Sequence, residues 1–334
     1  MNMHMPDSAL NEAERGLQHS FMKSRFFNGL LMAVAVLAAY LPMWGLPDRR
    51  QFPPRTIALN FQPVALPVTR SPLRLAGAWV MTADDRRFGG LSALAVDGKR
   101  FVAISDLGAV LNFDPPSAAH PLVLLTDLVE GPGPVGRKTS RDAESLARDP
   151  GGRGWWVGYE QRHSLWLYDR GFRHALTAIR IDRPEWWPNR GIEGLVADGD
   201  GLLALAENGR EAIRVRADGQ VVAGLEAGVE IADAARALDG STWLLLRSKG
   251  LDGIRQEIAP LVGSADGYRI GPKWPLPKAA LDNYEGMAIA RRPGGGLRFW
   301  LVSDDGHRLK ARTLLVALDL LPDKRKRPAE SAGR

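Results

Sequence analysis

The chain has 334 residues and not one cysteine. A disulfide framework, a thiolate nucleophile and a cysteine-ligated metal are therefore excluded. The lack of thiols is compatible with an oxidising compartment and does not require one. Familiar hydrolase signatures are missing too: there is no GxSxG elbow, no HExxH helix and no Walker loop. Gly131 to Gly136 is glycine-rich but lacks the lysine–serine ending, so it reads as a loop. Neither sign of charge dominates, since the net charge of +6 is mild for this length. Much of the excess sits in Lys324 to Arg327, read as a solvated tail rather than a tether to anionic lipid or nucleic acid. No nucleic-acid partner is expected. Helical periodicity is almost absent beyond the N-terminal region.

What is present is a repeat. Leu195 to Ala197 leads into Asp198-Gly199-Asp200-Gly201, residue types that tolerate positive φ, and Leu202 to Ala206 leads out. This is a β-hairpin, and Glu193 and Glu207 lie equidistant from Asp200, at its open end. The pattern recurs. Glu144 and Glu160 flank Gly152, Ser92 and Asp106 flank Lys99, and Glu285 and Asp304 flank Gly294-Gly295. A fifth copy, Ala232 to Gly250, keeps the length and the turn at Asp239-Gly240-Ser241. It ends in Arg247, Ser248 and Lys249, with Asp233 its only acid near the first strand. The repeat is structural in all copies and acidic in only some of them.

From Leu73 to Leu321 short strand patterns alternate with Gly, Pro and Asp turns, as in Phe101–Ser105, Trp155–Tyr159 and Phe299–Ser303. Roughly 250 residues at about 40–45 per four-stranded blade predict an all-β propeller of about six blades. Ser71–Val80 and Leu314–Leu320 are the expected partners that close the ring. A two-sheet β-sandwich is the structural rival, with less reason to repeat hairpins with equivalent polar ends. Ahead of this domain, residues 1–25 are polar and 26–46 carry no charge, with Lys23 and Arg25 on the N-terminal side. Two readings compete for 26–46, a cleaved signal peptide and an uncleaved transmembrane anchor; its length, about 20 apolar residues, leans to the anchor. Both place the rest on the periplasmic or extracellular side of the cytoplasmic membrane. Residues 47–72 read as a proline-rich linker and 322–334 as a basic tail.

In a propeller, equivalent hairpin ends converge on one mouth of the central channel. Glu144, Glu193 and Glu285 before the inner strands, and Asp106, Glu160, Glu207 and Asp304 after the neighbouring strands, would crowd there. Like charges at such spacing repel and raise one another's pKa. A hard divalent cation such as Ca²⁺, which takes six to eight oxygen ligands, relieves the conflict. Asn189, Asn208, Asn283 and Asp305 can complete its shell. The structural alternative is pairing with the nearby Arg141, Arg162, Arg190, Arg210 and Lys310. Those cations also suit a phosphate ester beside a bound metal. Trp186 and Trp187 offer a rim for a ring-bearing ligand, or pack against the adjoining proline. His163 and His307 follow acidic ends and are ligands, general acids or exposed loop residues.

The motifs GGLSAL with ISD, RDAESLA with GYEQ, NRGIEGL with ALAEN, and NYEGMAIA with LVSDD occur in that order, followed by RTLLVALDL. Together they resemble the phytase-like β-propeller family called "esterase-like activity of phytase", over about Leu75 to Leu320. The resemblance implies an exported bacterial protein that hydrolyses phosphoesters. Its acidic positions map onto Asp106, Glu144, Glu160, Glu193, Glu207, Glu285 and Asp304. Where the family often has a further acid, this chain has Arg247 and Lys249. The expected roles are Asp106, Glu144, Glu193 and Glu285 as metal ligands, with Glu160, Glu207 or Asp304 taking a proton from water. Arg141, Arg190 and Lys310 would face the phosphate. The partners expected are a small phosphoester or other anionic ligand and the membrane, for a monomeric chain. The alternative is a non-catalytic propeller that binds a ligand or a protein at the same mouth.

Overall fold

A computed structural model describes residues 52–116, 121–134, 138, 141–187, 190–250, 253–264, 267–307 and 311–321. The segment 26–46, the tail 322–334, Asn189 and Lys310 lie outside the described residues. Within them there are twenty-two strands and no helix, hence no helix long and apolar enough to cross a membrane.

The domain opens with β1 (Arg55–Pro63) and β2 (Arg74–Ala83). β3 (Leu91–Asp97), β4 (Arg100–Ser105), β5 (Ala109–Phe113) and β6 (Leu122–Asp127) form a first antiparallel blade. The second is β7 (Ala143–Arg148), β8 (Gly154–Tyr159), β9 (Ser164–Asp169) and β10 (Ala175–Arg180). The third is β11 (Ile192–Asp198), β12 (Gly201–Ala206), β13 (Glu211–Arg216) and β14 (Gly219–Glu226). The fourth has β15 (Glu230–Arg236), β16 (Thr242–Gly250) and β17 (Gly253–Ser264), with short β18 (Gly267–Ile270) and β19 (Trp274–Pro275) laid on β17. The last is β20 (Tyr284–Arg291), β21 (Leu297–Ser303) and β22 (Leu314–Leu320), completed by β2. The two ends of the domain therefore pair as expected, with Trp79 opposite Leu315.

The innermost strands β3, β7, β11, β15 and β20 follow one another round a closed ring, β20 returning to β3. The propeller has five blades rather than six. Counting the hairpin copies gives the right number; dividing the length does not, because blades spend residues beyond a standard quota. Blade four carries the 12-residue β17, and β1 lies inside the segment expected as a linker. There β1 bonds to both β2 and β6, joining the outer edges of blades five and one.

Inner strands are buried on both faces, which is why they read as near-continuous apolar runs. Successive side chains point to opposite sides of a sheet, so Trp155 packs toward blade one and Trp156 toward blade three. Five apolar clusters fill the five seams; Phe101 with Trp300 closes the seam between blades one and five, ring centroids 4.9 Å apart. Burying each such side chain contributes about 1.5–3 kcal/mol. The polar hairpin ends are thereby left to gather at one rim.

Candidate functional site at the channel mouth

Each inner strand carries a β-bulge at the same step. The register slips between Leu91 and Ala93, Ala143 and Ser145, Ile192 and Gly194, Ile231 and Asp233, and Tyr284 and Gly286. The residue squeezed out is Ser92, Glu144, Glu193, Ala232 and Glu285 in turn. A bulge re-aims a side chain out of the pleat, so the slip places three glutamates and two small residues in equivalent positions around the ring.

Two further sets of positions join them. The residue after the second strand is Asp106, Glu160, Glu207 or Asp304, and in blade four the equivalent Arg247 lies within the longer β16. In the other four blades the acid's backbone N–H donates to the residue two before the bulge, Gly90, Asp142, Gly191 or Asn283, at 2.9–3.0 Å. In blade four Arg247 stands opposite Glu230. Successive blades are tied here as well. Ala143 N–H donates to the Asp106 carbonyl at 3.2 Å, Ile231 N–H to that of Glu207 at 2.8 Å, and Gly191 N–H to Glu160 Oε1 at 3.2 Å. Space is tight. Gly90 has a φ of 59°, and a Cβ there would fall 2.6 Å from Asp106 Oδ1.

The mouth divides in two. On the blade-four side Arg247, largely buried, meets Glu285 at 2.7 Å, Glu207 at 3.0 Å and Glu230 at 3.2 Å. Lys249 adds a second contact to Glu230 at 2.9 Å, and Asn283 Nδ2 donates to Glu285 Oε1 at 2.6 Å. Burial favours the neutral acid, yet Lys249 and Arg247 together hold Glu230 below the usual carboxylate value. Burial opposes the charge on Arg247, but Glu285, Glu193, Glu207 and Glu230 together outweigh it and raise its pKa.

On the blade-two side the acids are short of cations. Lys138 lies 2.8 Å from Asp106, 3.3 Å from Asp142 and 3.9 Å from Glu144. Carboxylate oxygens of Asp142, Glu144 and Glu160 come within 4.8 Å of one another, and so do those of Glu160, Glu193 and Glu207. Glu160 belongs to both groups. Burial first, then neighbouring carboxylates, push Glu144 and Glu193 well above the ordinary range. Burial likewise lifts Asp142 to about 6 despite Lys138, and, with Asp142 and Glu207 adding to it, lifts Glu160 to about 8. Asp304, buried and facing Glu285 and Asp106, is raised to about 7. Asp106 Oδ1 and Glu207 Oε2 are shielded from solvent and have no hydrogen-bond partner.

The expected residues are thus distributed unevenly. Glu144, Glu193, Glu160 and Glu207 fall into the two close oxygen groups. Glu285 is held instead by Arg247 and Asn283, and Asp106 by Lys138. Arg190 is half exposed and 4.0 Å from both Glu207 and Glu230. Arg141 is buried and makes no ion pair with these groups among the described residues, its charge bearing on the Tyr159 hydroxyl. Asp142, Glu230, Lys138 and the central place of Arg247 escape a reading of the sequence. Asp142 and Glu230 share one offset from the bulge and were legible only once the bulge was known.

The sequence matches the family described as phytase-like, esterase-like activity of phytase, over residues 86–307. The chain belongs to that family. No curated protein matches it in sequence. Among solved structures, glutaminyl cyclase from Myxococcus xanthus is similar at 14% identity, covering 75% of this chain and 97% of that one, with a TM-score of 0.47. The PQQ-bound aldose sugar dehydrogenase from Streptomyces coelicolor is similar at 11% identity, covering 76% and 99%, also with a TM-score of 0.47.

Proposed function

We propose that this phytase-like propeller is a phosphoester hydrolase that works with a divalent cation at its mouth. The observation that carries the reading is the pair of close, all-oxygen groups that share Glu160. The fit is chemical: the donors are hard carboxylates, which suit Ca²⁺ or Mg²⁺, and Glu207 Oε2 is a buried oxygen with no hydrogen bond and, among the described residues, only Arg190 at 4.0 Å. Glu160, Glu193 and Glu207 would hold one ion, and Asp142 and Glu144 extend the set; Ca²⁺ is the ion we favour. When bound, such an ion polarises a phosphoryl oxygen and makes water more acidic.

The chain's own residues supply the rest. Of the three acids expected to take a proton, Glu160 and Glu207 lie in the oxygen groups, which leaves Asp304. A carboxylate raised to about 7 is poised to accept a proton near neutral pH. Gly306 N–H donates to its Oδ1 at 2.6 Å and fixes its orientation. Arg190, half exposed and only loosely paired, is free to swing onto a phosphate. Arg247 keeps Glu207 in place without competing for its second oxygen. We read the domain as exported, with 26–46 as its anchor or signal, and as a monomer.

The test is turnover of p-nitrophenyl phosphate and phytate by the full-length chain in detergent, with and without chelator. Cation-dependent hydrolysis that disappears in Glu193→Ala supports the reading. Cation binding with no turnover on either ester makes the mouth a binding site instead.

A further inference from the structure

A second concavity lies beside the mouth and contains none of its acids. It has a volume of about 710 Å³, and its lining includes Arg162, His163, Trp166, Arg180, Arg183 and Trp186. The turn that directly follows Glu160 forms one wall, the β9–β10 edge another. Among the described residues no carboxylate lines it, which sets it apart from the neighbouring rim.

Its polar and aromatic groups are unevenly committed. Arg183 is pinned, 3.2 Å from Glu185 and 3.6 Å from Glu211. Among the described residues Arg180 reaches only Asp182, at 4.0 Å with both side chains 83% exposed, a pair of little strength. Arg162 makes no ion pair among the described residues. Trp186 Nε1 donates to Glu211 Oε2 at 2.6 Å, and Trp166 Nε1 to Ser164 Oγ at 3.2 Å, so both indoles are oriented in advance. His163 stands edge-on to Trp186, ring centroids 5.5 Å apart, and its shielded Nδ1 has no partner. Gln161 and His163 hold positive φ of 58° and 27°. Non-glycine residues keep that conformation only when their surroundings impose it, commonly at binding sites.

Packing accounts for the indoles. It leaves the spare guanidinium groups and the spare imidazole nitrogen without a role. We propose that this cavity binds an anion carried on a planar ring, the ring against Trp166 and Trp186 and the phosphate or carboxylate on Arg162 and Arg180. Oriented indoles supply a stacking surface at small entropic cost, and arginine matches both anions through paired N–H groups. The proposal stands apart from the reading of the mouth, which needs no ring.

The full-length chain in detergent is titrated with phenylphosphonate, benzoate and inorganic phosphate, following tryptophan fluorescence and heat. EDTA keeps cations from the mouth. At least one aromatic anion should bind saturably and about tenfold more tightly than inorganic phosphate; the tighter of the two aromatic anions names the acid group. Arg162→Ala should weaken it at least about fivefold, Trp186→Leu should erase the preference for a ring, and Glu193→Gln should change neither. Arg162 is exposed, so its variant carries the test even where Trp186→Leu does not fold. Absence of saturable binding, equal affinity in Arg162→Ala, or loss of binding in Glu193→Gln would each overturn the proposal, the last by moving the ligand to the mouth.

Discussion

The two halves of the mouth are built from the same repeat and have opposite electrostatics. Around blade four, one arginine answers Glu207, Glu230 and Glu285, leaving Glu207 Oε2 without a hydrogen bond. Around blade two, Lys138 serves Asp106, Asp142 and Glu144 from one side, while Glu160 and Glu193 have no cation within salt-bridge distance among the described residues. The scaffold is equivalent; the difference is one substitution at the end of the second strand, where four blades carry an acid and one carries Arg247. A ring with an acid in all five places would lose its most deeply placed cation and keep, among the described residues, only Lys138, Arg190 and Lys249 around it. This one is half closed by its own cation, which leaves the demand for an external cation centred on Glu160 and Glu193, with Glu207 shared between the two halves.

The largest effect expected is on the satisfied side. Arg247→Ala takes the close guanidinium from three carboxylates and leaves, among the described residues, Glu207 only Arg190 at 4.0 Å, Glu285 only Asn283 and Glu230 chiefly Lys249, a loss on the order of 3 kcal/mol at pH 7. Calorimetric melting should show it, with much of the loss recovered at pH 4.5 or in excess Ca²⁺. A variant as stable as the parent would mean that the two halves are not distinct.

The unsatisfied side should reveal itself through pH. Glu160, Asp304 and Asp142 have folded values of about 8, 7 and 6, against unfolded values of about 4. A raised carboxylate prefers the proton in the folded state, so its contribution is fully present below about pH 4 and is lost as pH rises toward 8. The melting temperature of the chelated protein should therefore fall between about pH 5 and 8, and a saturating divalent cation should flatten that slope. A flat profile without cation would sink the contrast. Asp149, at the far end of the blade-two hairpin, runs the other way. Arg153 holds it down at about 2, so what it contributes is lost only as pH falls through about 4 toward 2.

A smaller effect is expected for Glu193→Gln. Removing a crowded charge should leave the chelated protein at least as stable as the parent, while abolishing the cation-induced rise in melting temperature. That rise corresponds to about 2.7 kcal/mol at a hundredfold excess over the dissociation constant. The smallest concerns Arg190→Ala. With half of the side chain exposed and partners at 4.0 Å, stability should change by no more than about 0.5 kcal/mol. Any effect on phosphoester turnover should appear as a raised KM; a large fall in melting temperature would show instead that Arg190 is structural.

Much of the mouth is legible in the sequence. Glycine-centred turns flanked by apolar runs mark hairpins because few residues tolerate the required φ, and equal spacing about each turn fixes which acids end up side by side. The pairing of Arg74–Val80 with Leu314–Asp319 was legible for a similar reason, since closing a ring removes both free edges. The bulges were not. A slip of one residue leaves no mark on composition, yet it decides that Glu144, Glu193 and Glu285 are turned out of the pleat and that Asp233 is not. Asp233 instead accepts from Met287 N–H at 2.6 Å across the seam to blade five, deeply buried.

The order of strands, the five hairpins and the acids at their open ends follow from local chemistry, because turn preference and apolar alternation act over a few residues. Blade number, the half-mouth closed by Arg247 and the oxygen groups sharing Glu160 depend on side chains brought together from distant parts of the chain. Charge compensation is settled over a few ångströms in space, and only ring closure sets those distances.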